Sequence, residues 1–132
     1  MSSHQPKASH AQRALPCDIA LAEVARNTSV TEIYLGRRQL VYVSDLTRYK
    51  QLEALWLNDN NLTALHGFDS NPTLQAIYAH NNGIYTLAGS LQNLKYLRSL
   101  SLYHNKLRDL KATLPYIRHL QYAQCSPLQF LL

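Results

Sequence analysis

Glycine is scarce in this chain, with four in 132 residues and no Gly-rich turn among them. A phosphate cradle needs several glycines in one loop, so a nucleotide site has little raw material here. Cysteine is scarcer: Cys17 and Cys125 stand near opposite ends and form no C-x-x-C pair. Small secreted domains commonly carry several disulfides, so this usage points to a reducing compartment. No run approaches the roughly 20 apolar residues of a membrane span. The opening stretch MSSHQPKASHAQRALP lacks the apolar centre of a secretory signal. A soluble, intracellular chain is expected, and the sequons at Asn27 and Asn61 are then chance matches. Catalytic material is also thin. Neither cysteine has an ordered base beside it in the pattern, and no paired-acid arrangement stands out, so an enzyme is not expected.

What is present begins with tyrosine, at nine copies against two phenylalanines. Tyrosine buries its ring while keeping its hydroxyl wet, which suits interfaces. The length is that of one domain, and 46% apolar residues argue against wholesale disorder. Formal net charge is +5, and one segment accounts for it. Lys95, Arg98, Lys106, Arg108, Lys111 and Arg118 face a single acid, Asp109, between Lys95 and His119. Such a basic segment either keeps the molecule soluble or meets an acidic partner.

Repetition is the strongest signal. Leu52, Leu55, Leu57, Asn60 and Leu62 spell L-x-x-L-x-L-x-x-N-x-L. Leu74, Ile77, Ala79, Asn82 and Ile84 repeat it, as do Leu97, Leu100, Leu102, Asn105 and Leu107. Upstream, Val30, Ile33, Leu35, Arg38 and Leu40 fit with Arg38 in the asparagine slot, and Leu120, Ala123 and Cys125 begin a fifth copy. The first positions are spaced by 22, 22, 23 and 23 residues.

This pattern is the leucine-rich-repeat signature. It resembles the short intracellular subclass that includes the leucine-rich regulatory subunit of protein phosphatase 1, the spliceosomal A-prime protein and axonemal leucine-rich-repeat proteins. The resemblance implies an α/β solenoid: a parallel concave sheet with 3₁₀ or short helical returns on the convex side. Residues 1–15 read as a tail and 16–28 as an N-terminal cap helix, with Asp18 as its N-cap and Ile19, Leu21 and Val24 covering the first strand. Residues 29–132 read as about 4.5 repeats. The subclass usually ends in a dedicated cap, and here Phe130, Leu131 and Leu132 offer only a minimal lid or a bare docking edge.

The slots sort the polar residues. Asn60, Asn82 and Asn105 are expected to point inward as a ladder that satisfies backbone groups where the chain turns. Arg38 cannot do this, so the first turn should be distorted or Arg38 should escape to solvent. Alternate residues face outward. There Tyr34, Trp56 and Tyr78 form an aromatic stripe across adjacent strands, followed in the same slot by Ser101. Asn58, Asp59, His80, Tyr103 and His104 join the stripe as candidate partner contacts. Two histidines and Asp59 could in principle meet zinc, but nothing else marks a metal site.

These features imply a non-enzymatic interaction module without cofactor, small-molecule substrate or membrane contact. The opening repeats resemble axonemal proteins, and the basic half would suit tubulin, so a ciliary or flagellar structural role is the leading expectation, with the nucleus as the alternative location. A phosphatase regulator and a spliceosomal assembly factor are the competing readings. The former is disfavoured by a nearly acid-free aromatic face. Nucleic acid is disfavoured because Lys106, Arg108 and Lys111 follow the strand rather than interleave with the rings.

Overall fold

A three-residue strand with an apolar centre and outward-facing flanks needs neighbours before it can bury anything. The repeat supplies them one period away. In the computed structural model, which describes residues 16–89 and 91–108 together with Lys111 and Pro115, residues 16–108 include one helix and four short strands among those described. Helix α1 spans Pro16–Val24, β1 Glu32–Tyr34, β2 Ala54–Trp56, β3 Ala76–Tyr78 and β4 Ser99–Ser101. The sheet is parallel throughout, in the order β1-β2-β3-β4. Its register sets Ile33 against Leu55, Leu55 against Ile77 and Ile77 against Leu100. These four central residues are fully buried.

Behind the sheet, Leu35, Leu57, Ala79 and Leu102 form a second buried row, and Leu40, Leu62, Ile84 and Leu107 a third. Each fully buried aliphatic side chain contributes roughly 1.5–3 kcal/mol relative to exposure. The core is continuous because every row crosses all four repeats.

The three returns between strands carry the i→i+3 bonds of a 3₁₀ turn without forming a continuous 3₁₀ or helical segment. They are single turns, each closed by a bond from every third residue: Tyr49 N–H to Leu46 O, Leu52 N–H to Tyr49 O, and likewise Asn71 to Phe68, Leu74 to Asn71, Leu94 to Leu91 and Leu97 to Leu94. Every donor and acceptor in this series belongs to a buried residue. A helix would need the intervening N–H groups as well, and at Pro72 there is none to give.

The helix corrects two expectations. It starts at Pro16, so Asp18 lies inside the first turn rather than capping it. Proline suits this place because its missing N–H is one the helix would leave unpaired anyway, and the Asp18 carboxylate still opposes the positive helix end. Ile19 does not cover β1 but is 51% exposed. The inward face is instead Cys17, Ala20, Leu21 and Ala25, with Val24 partly buried, the spacing that a helical period requires. Besides the Glu23–Arg38 ion pair, two hydrogen bonds tie the helix and the residue after it to the repeats. Ser44 N–H donates to Cys17 Sγ at 3.3 Å, and Tyr49 Oη donates to the Ala25 carbonyl at 3.0 Å.

Expectations for residues 1–15, Asp109, Arg118, His119, the fifth repeat and the Phe130–Leu132 lid fall outside the described residues.

Candidate functional site

Each repeat leaves its strand through a sharp turn, and a turn exposes backbone groups that must find partners. Asn60, buried, donates from Nδ2 to the carbonyls of Leu35 and Leu57, both at 2.9 Å. Its Oδ1 accepts from the N–H of Arg38 at 2.9 Å and of Leu40 at 3.0 Å. Asn82 donates to Leu57 and Ala79 carbonyls and accepts from Leu62 N–H. Asn105 donates to Ala79 and Leu102 carbonyls and accepts from Ile84 N–H. One side chain thus stitches two successive turns.

Arg38, in the corresponding slot of the first repeat, has no such bonds. Its guanidinium turns to the helix and pairs with Glu23. The first turn also carries an additional left-handed residue, Gln39, at φ 59°.

The residue before each asparagine slot shares one backbone feature. Arg37, Asp59, Asn81 and His104 all have φ between 56° and 59°. Asp, Asn and His are the non-glycine residues that tolerate this left-handed region best. That backbone demand accounts for Asp59 in the Asn58–Asn61 cluster before any function is invoked.

The outward face of the sheet carries an aromatic ridge. Tyr34 stacks on Trp56 with ring centroids 4.3 Å apart, and Trp56 on Tyr78 at 4.7 Å. The strand register places the three rings in line, since Tyr34 pairs with Trp56 and Trp56 with Tyr78. Small Ala54 and Ala76 lie beside the ridge in the neighbouring outward row. Ser101, next in the aromatic row, is closed over: it is 6% exposed and its hydroxyl meets His80 Nδ1 at 3.2 Å. A hydroxymethyl group is too short to continue a row of rings, so the ridge ends at Tyr78.

A second, polar lane runs alongside. His80 stacks on Tyr103 at 4.5 Å, and Tyr103 meets His104 edge-on at 5.2 Å. Asn58 Nδ2 donates to Asp59 Oδ2 at 2.6 Å and Asn81 Nδ2 to Asp59 Oδ1 at 2.9 Å, while Asn81 Oδ1 lies 2.9 Å from His104 Nδ1. Arg37 Nε stands 3.8 Å from Asp59 Oδ2. Hydrogen bonds from Asn58 and then Asn81, with Arg37 nearby, hold the Asp59 carboxyl below its usual range. Burial lowers the His80 pKa, against the pull of Asp59. Gly36 belongs here through close approach: a Cβ on it would lie 2.9 Å from Asn58 Oδ1.

The structure therefore gathers Tyr34, Trp56, Tyr78, Asn58, Asp59, His80, Tyr103 and His104 on one face. It adds residues that the sequence reading did not nominate: Glu32, Arg37, Asn81 and Ser101. Glu32 accepts from Tyr34 Oη at 2.7 Å, and that bond, with lesser contributions from burial and charge, raises the tyrosine pKa. Slot position was the available signal for Arg37, Asn81 and Ser101, each one period from a nominated residue. Glu32 lies one period from Ala54 and had only its place two residues before Tyr34. Lys95, Arg98, Lys106, Arg108 and Lys111 are exposed on and around the β4 repeat. Neither salt bridge among the described residues involves them. Among the described residues, no three His, Cys, Asp or Glu side chains form a group able to hold a metal ion, and no helix is long and apolar enough to cross a membrane.

A parallel sheet of short strands, with a periodic buried leucine pattern and turn asparagines, is a leucine-rich-repeat-like α/β fold. No family model matches the chain. Asporin from Bos taurus, a leucine-rich-repeat protein, is 29% identical over 108 residues, covering 75% of this chain. The chain spans only 29% of the length of asporin.

Proposed function

We propose that this chain is a non-enzymatic protein-interaction module, a short leucine-rich-repeat solenoid with α1 as its N-terminal cap, that docks within a larger intracellular assembly. The observation that supports it is the Tyr34–Trp56–Tyr78 ridge. Three stacked rings stand on the outward face, where polar residues would ordinarily lie. Tryptophan and tyrosine are the residues enriched at binding hot spots. The likeness to asporin, a leucine-rich-repeat binding protein, favours the same class.

The size of the sheet argues for an assembly rather than a free-standing receptor. The four strands among the described residues, about 4.8 Å apart, make a face only ~14 Å across from first to last. A face that small falls short of the roughly 800 Å² per partner of a standard interface, so other surfaces must contribute. The exposed bases Lys95, Arg98, Lys106, Arg108 and Lys111 supply one such surface for an acidic partner. An axonemal role with tubulin as that partner is the specific form of this reading, and microtubule co-sedimentation at low and high salt tests it. The test of the module itself is Trp56→Ala. It should leave the circular dichroism spectrum unchanged and weaken capture of the co-purifying partner at least about tenfold. Unchanged capture would remove the ridge as the docking site.

A further inference from the structure

The aromatic ridge has two different ends. At β3 it closes, because Ser101 is buried and no ring follows Tyr78. At β1 it opens: β1 is the first strand of the sheet, Tyr34 is 52% exposed, and Trp56 stacks on one of its faces. Among the described residues no ring lies on the other face. Beside this open ring stands a carboxylate, because Glu32 lies two residues earlier on the same strand face and accepts the Tyr34 hydroxyl at 2.7 Å. Exposed Glu53 enters β2 close by, its N–H donating to Thr31 O at 2.7 Å. Arg37 and Arg38, which follow on the same repeat, are directed elsewhere, Arg37 toward Asp59 and Arg38 toward Glu23.

An open π-face with a carboxylate at its rim is complementary to a planar cation. A guanidinium stacks on tyrosine and donates two parallel N–H bonds to a carboxylate, which an ammonium cannot do. We propose that the β1 end of the ridge is a recognition site for an arginine side chain in a basic peptide segment of the partner, stacked on Tyr34 and paired with Glu32. This rests on the interaction-module reading above. The excess positive charge of the chain does not oppose it. The basic residues cluster around β4, about 14 Å from β1 at ~4.8 Å per strand, which exceeds the roughly 8 Å screening length at physiological salt.

Trp56 is the only tryptophan in the chain and stacks directly on Tyr34, so its fluorescence reports on the site. The full chain is titrated with a blocked peptide of alternating glycine and arginine, then with lysine and glutamate versions and a single-stranded RNA. The arginine peptide should change the emission saturably and weaken with salt, the lysine version should bind less tightly, and the glutamate version should not bind. Glu32→Gln, which leaves the core untouched, should weaken the arginine peptide about threefold, and Tyr34→Ala about fivefold. Equal binding by Glu32→Gln and Tyr34→Ala, or tighter binding of the glutamate peptide or the RNA, would overturn the proposal. Cellular capture separates this from the broader reading. If Trp56→Ala loses the partner while Glu32→Gln and Tyr34→Ala keep it, the module stands and the arginine site falls. If Trp56→Ala also keeps it, the ridge is not the docking site, and the arginine site falls with it.

Discussion

The Nδ2 of Asn60 donates to the main-chain carbonyl of Leu35, 25 residues earlier in the chain, at 2.9 Å. That bond joins one turn to the preceding one. Asn60→Ala strands the Leu35 carbonyl and the Leu40 N–H inside the molecule, while the Leu57 carbonyl keeps its bond from Asn82 Nδ2. The substitution should cost about 3 kcal/mol, read as a lower midpoint in urea denaturation. Asn61→Ala, one residue on and exposed, should stay within about 0.5 kcal/mol of the parent.

Asn81 tests the backbone reading of the polar cluster. At φ 57° it occupies a region that glycine enters freely and a β-branched residue resists. Asn81→Gly should lower stability by no more than about 1 kcal/mol. Asn81→Val should cost about 1–2 kcal/mol more than the glycine variant. Equal stability of the two would mean that the side-chain bonds to Asp59 and His104 matter more than the turn.

Tyr49 anchors the helix through its hydroxyl bond to the Ala25 carbonyl. Tyr49→Phe keeps the ring in the core and removes only that bond. A loss of about 1 kcal/mol is expected, with faster hydrogen exchange in Pro16–Val24 while the β2 and β3 amides keep their protection. Uniform loss of protection across the sheet would show that the helix is not a separate unit.

Acid should destabilise the fold in two stages. Burial lowers the His80 pKa in the folded chain, even though Asp59 attracts the proton; His104 opposes it. The unfolded chain therefore takes up this proton first, and the His80 contribution is complete above about pH 6.5 and lost as pH falls below it. Asp59 and Asp45 are held below the usual carboxylate range, by Asn58 and Asn81 in one case and Thr47 in the other. Their contribution is present above about pH 4 and disappears as pH falls through their folded values. The melting temperature should decline in both windows. His80→Gln should flatten the upper stage and leave the lower one.

Much of the fold was legible because a repeat of 22 or 23 residues sets its own register. Once Leu55 and Ile77 occupy the same slot, in-line pairing of Ile33, Leu55, Ile77 and Leu100 follows from the only arrangement that buries all of them. The asparagine slot was legible for the same reason, since its chemistry repeats with its position. The helix face was misjudged at Ile19, because apolar spacing alone did not show that the smaller Cys17 and Ala20 take the buried side.

By itself, then, the sequence determined the period, the buried rows and the outward stripe, all of which depend on spacing along the chain. Tertiary structure decided what spacing cannot express. It set the left-handed turn that accounts for Asp59, the turning of Arg38 to Glu23, and the closing of the ridge at Ser101. It also left Tyr34 open beside Glu32. These depend on side-chain size and direction at a particular strand, so two residues in equivalent slots can end in opposite environments.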